Sequence, residues 1–302
     1  MNRTRAAARL TVPVLVALSA ITACGTSPST PEPNDVSVAA QSPDDRSDSV
    51  TESRNEEAAL TLFESAFTAE EPAAAASVVA ENAVDRPGSA VGPDAIVARF
   101  EATRTRIPGA RAVVKHVAAD GRWVAVHWQA TADPASETTG EANIDLFAFD
   151  GGKVTEHWAL TQSVPATSMS GNTMFSDLYR YPTAPTEPTE PTEDEEEHRR
   201  MSVTATYDAL FREHDASVLG TDFAPSYLQH NPIAGNGTAA LQQFFAGGAQ
   251  FPASESVVSL ADGDLVWTFA KAPGAAESDP FVAGDIFRFD GTIVEHWDVV
   301  PE

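Results

Sequence analysis

The chain has 302 residues, 42% of them hydrophobic, which suits about two ordinary domains rather than one. Its formal net charge is −25 at pH 7, from 19 Lys and Arg against 44 Asp and Glu. So acidic a chain repels nucleic acid and anionic head groups, and high negative charge is also a common solubility device. Cys24 is the single cysteine, so no intrachain disulfide forms.

The N-terminus reads as a targeting segment. Arg3, Arg5 and Arg9 precede an apolar run, Leu10 to Ala20, too short to anchor stably across a bilayer. The run ends in Ile21-Thr22-Ala23-Cys24, which resembles the lipobox of bacterial lipoproteins. That resemblance implies a signal peptide over residues 1–23, cleavage before Cys24, and acyl chains such as palmitate on Cys24. The expected place is the extracytoplasmic side of the cell membrane, with the membrane itself as a partner through the lipid. An ordinary secretory signal with an incidental cysteine is the alternative. Residues 24–54 are rich in Ser, Pro, Asp and Glu without apolar periodicity, and read as a disordered acidic tether.

Beyond the tether the pattern changes. Leu60, Phe63 and Phe67 recur at helical spacing, as do Tyr207, Leu210 and Phe211 much later. Between them, residues 181–200 ("YPTAPTEPTEPTEDEEEHRR") form a Thr/Glu/Pro-rich acidic stretch that predicts an extended interdomain linker. The segments on either side, residues 55–180 and 201–302, resemble each other. "VDRPGSAVGPDAIVARF" from Val84 aligns without a gap on "QHNPIAGNGTAALQQFF" from Gln229, and Asp120-Gly121 aligns on Asp262-Gly263. Each copy predicts helices followed by antiparallel strands, an α+β pattern.

Both copies end in a hairpin: "DLFAFDGGKVTEHWAL" from Asp145 and "DIFRFDGTIVEHWDVV" from Asp285. A tight turn at Asp290-Gly291 sets Asp285 opposite His296 and puts Asp285, Phe287, Val294, His296 and Asp298 on one face. Ile286, Ile293 and Trp297 fall on the other. A three-residue loop of Asp150, Gly151 and Gly152 sets Asp145 opposite His157 in the same way. A carboxylate opposite an imidazole beside Phe suits acid–base chemistry, and equally an ordinary cross-strand ion pair. Tyr227-Leu228-Gln229-His230-Asn231-Pro232 adds a second polar cluster, read as a turn or strand edge.

"YLQHNP", "GDLVW" and the second hairpin resemble the SnoaL-like proteins, relatives of polyketide cyclases in the nuclear transport factor 2-like superfamily; "QSVPATSMSGNTMF" after the first hairpin resembles that family's tail. The likeness is stronger in the second copy. It implies two tandem cone-shaped α+β barrels, each a bent antiparallel sheet around helices with an apolar pocket. Carried over, His230, Asp285, His296 and Asp298 are catalytic candidates, and Tyr227, Asn231 and Phe287 shape the pocket. The first copy holds a degenerate site: it keeps Asp145 and His157, but Asp85 stands in place of His230 and Ala159 in place of Asp298. The function implied is binding of a small apolar molecule in the second copy. The alternative is aldol-type cyclisation or isomerisation there by a His or Asp general base without a cofactor. No metal is expected, since seven His show no tight His/Cys spacing. Ile286, Ile293 and Trp297, with Leu146, Val154 and Trp158, are expected to pair the two copies within the chain or to form a homodimer.

Overall fold

The computed structural model describes residues 43–67, 76–179, 191–246 and 251–301. The signal segment, Cys24, the start of the tether and residues 180–190 of the linker lie outside them.

The first half runs α1 (Pro43–Phe67), β1 (Val79–Arg86), β2 (Ala90–Val91), α2 (Pro93–Arg106), β3 (Arg111–Asp120), β4 (Trp123–Thr131), β5 (Glu141–Asp150) and β6 (Lys153–Ser163). The second half runs α3 (Glu193–Tyr207), a π-helical turn (Asp208–Arg212), a 3₁₀ turn (Ala216–Gly220), β7 (Phe223–Gln229), α4 (Thr238–Ala246), β8 (Glu255–Asp262), β9 (Leu265–Lys271), β10 (Ala283–Phe289) and β11 (Ile293–Val299). The sheets are ordered β2-β1-β6-β5-β4-β3 and β7-β11-β10-β9-β8. This is the cone-shaped α+β architecture, with each sheet packed on its own helices.

Two helices begin earlier than expected. α1 starts at Pro43, inside the stretch read as tether. Tertiary contacts hold it: the Glu52 carboxylate accepts the Gly121 N–H at 2.8 Å, and Asn55 is buried. α3 starts at Glu193, inside the stretch read as linker. There Thr192 and Glu195 make a reciprocal capping box, and Glu193, Asp194, Glu195 and Glu196 fill the first turn, where the helix dipole favours negative charge. The acidic run is thus a helix start.

The order of elements also differs from helices followed by strands. β1 and β7 lie between the helices of their halves and pair in parallel with the last strands, β6 and β11. Each therefore edges up to the Glu-His-Trp segment of its own half. That parallel pairing is long-range, so no local pattern announces it.

Among the described residues, buried apolar side chains form three clusters. Leu62 and Phe63 of α1 meet Phe100 of α2, Trp128 and Phe147 inside the first half. Tyr207, Leu210, Tyr227, Leu241 and Phe287 pack inside the second. Between the sheets lie Ile144, Leu146, Trp158 and Leu160 of the first half with Leu260, Trp267, Phe269, Ile286 and Trp297 of the second. β5 is therefore buried on both faces, with Asp145 and Phe147 turned inward and Ile144 and Leu146 turned to the other sheet. β3 and β8 make a reciprocal contact: the Ala119 N–H donates to Asp262 and the Ala261 N–H to Asp120, both at 3.0 Å.

Candidate functional site

Both terminal hairpins carry a bulge that the sequence reading lacks. In the second half Phe287 faces His296 and Asp285 faces Asp298, because Phe289 pairs with Ile293 and Val294 is the extra residue. In the first, Asp150 pairs with Lys153 across a two-residue Gly151-Gly152 turn, Phe147 faces His157, and Thr155 is the extra residue. Both glycines have positive φ, 57° and 77°, as such a turn requires. Asp and His are therefore diagonal neighbours, not direct opposites. They remain on one face, since the change in register is two residues in each strand pair. The bulge also reverses the alternation before it: Ile293 and Val154 turn into the cores of their own halves, not towards the opposite sheet.

In the second half the inward face brings Asp285, His296 and Asp298 together, all buried. His296 Nε2 lies 3.0 Å from Asp285 Oδ1, and His296 Nδ1 lies 3.0 Å from Gln229 Oε1. The Asn231 N–H donates to the same Gln229 oxygen at 2.8 Å, while the Gln229 amide nitrogen donates to the Tyr227 hydroxyl at 3.0 Å. A backbone N–H needs an acceptor, so that atom is the oxygen, and His296 Nδ1 must carry the ring proton. Nε2 then holds a lone pair when the ring is neutral. Asn231 Nδ2 donates to Asp298 Oδ2 at 2.6 Å, whereas Asp298 Oδ1 has no hydrogen-bond partner.

Burial sets the charge state of this cluster. It raises the Asp285 carboxyl to about 8, a rise the Tyr207 hydroxyl only partly offsets. It raises Asp298 to about 6, where the neighbouring His296 pulls it down and Asp285 pushes it up. It lowers His296 to about 4 against the upward pull of Asp298. Near neutral pH a protonated Asp285 thus donates to His296 Nε2, while Asp298 is mostly ionised and gives the cluster about one negative charge.

His230 lies elsewhere. β7 places Gln229 beside His296, so the next residue points to the opposite face. There His230 stacks on Trp297 with ring centroids 4.9 Å apart, and its Nε2 lies 2.9 Å from Glu295 Oε1. Its other nitrogen lies 2.6 Å from the Thr173 carbonyl. Arg288 donates to Glu295 at 3.2 Å, to Asp264 at 2.7 Å and to Asp177 at 2.8 Å. The Leu178 N–H reaches Glu295 at 2.8 Å, and Trp297 donates to the Ser176 carbonyl at 3.0 Å. Glu295 and Trp297 thus fasten the segment that follows the first half onto the outside of the second sheet, while His296 between them faces inward.

The strand registers also revise the alignment of the halves. Asp85 faces His157 as Gln229 faces His296. Asp85 therefore matches Gln229, and Arg86, which donates to Glu156 at 3.0 and 3.2 Å, matches His230. The ungapped alignment is one residue out.

In the first half every oxygen of the cluster is engaged. His157 Nδ1 lies 2.9 Å from Asp85 Oδ1, and its Nε2 lies 2.6 Å from Asp145 Oδ1. Arg99 of α2 donates to Asp85 Oδ2 at 2.7 and 3.1 Å, and the Trp128 indole donates to Asp145 Oδ2. Burial by itself would pull the His157 ring down, but Asp145 and Asp85 on either side outweigh it and raise it. Burial likewise pushes Asp85 up, and His157 with Arg99 bring it below its usual range. His157 is an imidazolium between two carboxylates, with Arg99 supplying the second positive charge.

A cavity of about 310 Å³ opens beside this cluster, lined by Phe100, Trp128, Asp145, Ala159, Arg99 and Arg106 among others. Ala159 leaves space where Asp298 stands in the second half. Sequence reasoning expected the pocket in the second half, where Tyr227 and Phe287 instead belong to a packed core. It also missed Gln229, Arg99 and Trp128: Gln229 sat unread inside "YLQHNP", and nothing local marks Arg99 or Trp128 as partners of strands so far away.

Residues 59–157 match the family model of the SnoaL-like domain. The match falls on the first half, although the sequence likeness was read as stronger in the second. Among solved structures, a proposed isomerase of the SnoaL-like family from Agrobacterium tumefaciens is 20% identical, covering 37% of this chain and 99% of its own, with a TM-score of 0.30. A proposed SnoaL-like polyketide cyclase from Jannaschia sp. is 18% identical over 41% of this chain and 90% of its own, with a TM-score of 0.32. IdmH, a proposed polyketide cyclase from Streptomyces antibioticus, is 17% identical over 36% of this chain and 91% of its own, with a TM-score of 0.30. No match was found among curated proteins.

Proposed function

We propose that this protein is a lipid-anchored, extracytoplasmic binding protein built from two SnoaL-like copies in tandem, and that it holds a small, mainly apolar molecule in the cavity of the first copy. The cavity carries the reading. Its volume of about 310 Å³ falls in the range of small-molecule sites, and it joins an aromatic wall of Phe100 and Trp128 to a few polar groups. Asp145 faces it with both oxygens already engaged, by His157 and Trp128, which suits a fixed recognition element better than a base that must take up a proton. Tandem duplication draws support from the equivalent order of elements and from the reciprocal Ala119–Asp262 and Ala261–Asp120 contacts, as expected of two like units related by a two-fold axis. The lipobox-like Ile21-Thr22-Ala23-Cys24 supports the anchor. Among the described residues no helix is long and apolar enough to cross a membrane.

A second reading is acid–base chemistry in the second copy, of the aldol cyclase or isomerase kind. It draws on Asp285 and Asp298, whose carboxyls are raised to about 8 and about 6, close to a working pH. It needs an opening among Tyr207, Tyr227 and Phe287 to admit a substrate.

The test is native mass spectrometry of the mature protein extracted from its membrane. A small-molecule adduct is expected on the wild type and lost in Ala159→Phe, which fills the cavity. An adduct that survives Ala159→Phe but disappears in His296→Ala would move the site to the second copy. Cys24→Ser should release the protein from the membrane fraction, and retention there would contradict lipid anchoring.

A further inference from the structure

The second half contains a ligand set that neither the cavity nor the Glu295 and Trp297 contacts use. Asp285, His296 and Asp298 are 3%, 5% and 7% exposed, and one donor atom from each lies within 4.8 Å of the others. Donor atoms around one divalent ion at about 2.0–2.2 Å stand roughly 3–4.4 Å apart, so little movement separates this arrangement from a coordination sphere.

Neighbours orient two of the three side chains, His296 and Asp298, as outer-sphere partners do at metal sites. His296 Nδ1–H donates to Gln229 Oε1, leaving the Nε2 lone pair directed at the carboxylates. Asn231 Nδ2 holds Asp298 Oδ2, leaving Oδ1 without a partner inside a site more than nine-tenths buried. A buried acceptor without a donor is unfavourable in a protein interior, and a cation satisfies it.

We propose that Asp285, His296 and Asp298 form a binding site for one divalent transition-metal ion, bound through His296 Nε2 and one oxygen of each carboxylate. Two carboxylates neutralise the ion's two charges, and one imidazole with two carboxylates suits zinc or manganese better than soft, thiolate-seeking metals. The corresponding cluster of the first half is unsuited. Its Asp85 and Asp145 oxygens are held by His157, Arg99 and Trp128, and Ala159 supplies no ligand where Asp298 does. The site stands independently of the ligand cavity proposed for the first half.

The experiment uses the mature full-length protein, stripped with chelator and titrated with Zn²⁺ in a calorimeter. One equivalent is expected to bind the wild type. Asp298→Asn and Asp285→Asn, close in shape and bringing no new charge, should each weaken binding by more than about 100-fold. Asn231→Ala, which removes the contact that orients Asp298 but no ligand, should weaken it by about 10–100-fold. Nitrogen-15 NMR of the wild-type imidazoles supplies a readout that requires no variant: Zn²⁺ should shift His296 Nε2 and leave its Nδ1 protonated. Absence of saturable binding, unchanged binding in Asp298→Asn, or a metal-dependent shift confined to other histidines would each overturn the proposal.

Discussion

The two halves of this protein solve the same local problem, a histidine buried inside a sheet, in opposite ways. In the first, His157 is charged and sandwiched between Asp85 and Asp145, with Arg99 balancing the second carboxylate. In the second, Gln229 stands where Asp85 does, and α4, "TAALQQFFA", has no basic residue to play the part of Arg99. With one uncharged amide on His296 and no Arg99 counterpart among the described residues of α4, burial wins: the carboxyls rise, the imidazole falls, and near neutral pH only Asp298 carries a charge. The saturated cluster sits beside open space, whereas the under-satisfied one sits in packed surroundings. Polar satisfaction and cavity are thus found together in the first half, while the carboxyls raised towards neutral pH lie in the second.

The largest expected effect breaks the saturated cluster. Asp145→Ala strips His157 and Trp128 of their shared acceptor and leaves a buried imidazolium half paired, at a cost of about 3–5 kcal/mol. Urea unfolding measures it; a loss below about 1 kcal/mol would mean that the network carries little of the first half's stability.

A smaller effect, on the order of a few kcal/mol at pH 8.5, is expected from Asp285→Asn. The folded carboxyl titrates at about 8 against an ordinary 3.8, so the folded state binds the extra proton throughout that window. Stability therefore falls as pH rises from about 4 to about 8, and the asparagine variant, which has no proton to lose, should flatten that fall. Thermal unfolding from pH 5 to pH 8.5 provides the comparison. Parallel profiles for the two proteins would show that Asp285 is ionised when folded.

Converting one half towards the other gives the subtlest test. Gln229→Asp places a second carboxylate on His296 in the position of Asp85 and should raise that imidazole by about 1–3 pH units, towards the state of His157. Proton NMR of the His296 ring during a pH titration reports it directly. An unchanged midpoint would mean that burial alone, not the partner on Nδ1, separates the halves.

Much of this organisation was legible in the chain. Apolar residues at helical spacing placed Phe63 and Tyr207 in helices, and turn residues followed by alternating strands marked both hairpins. The inward grouping of Asp285, Phe287, His296 and Asp298 followed from strand alternation and survived a wrong register, because an error of two residues preserves the face. The linker misled for a physical reason as well: consecutive acids repel in an extended chain but stabilise a helix start, and only the capping geometry at Thr192 distinguishes the two.

What the sequence determined by itself is therefore local: most of the elements, and which residues of a hairpin share a face, since short-range sterics and alternation fix these. The bulges at Val294 and Thr155, the parallel docking of β1 and β7, and the choice of Gln229 over His230 as the partner of His296 were decided by tertiary structure. So was the place of the cavity. Each depends on contacts between segments tens of residues apart, where a shift of one residue sends a side chain from the interior to the opposite face of the sheet.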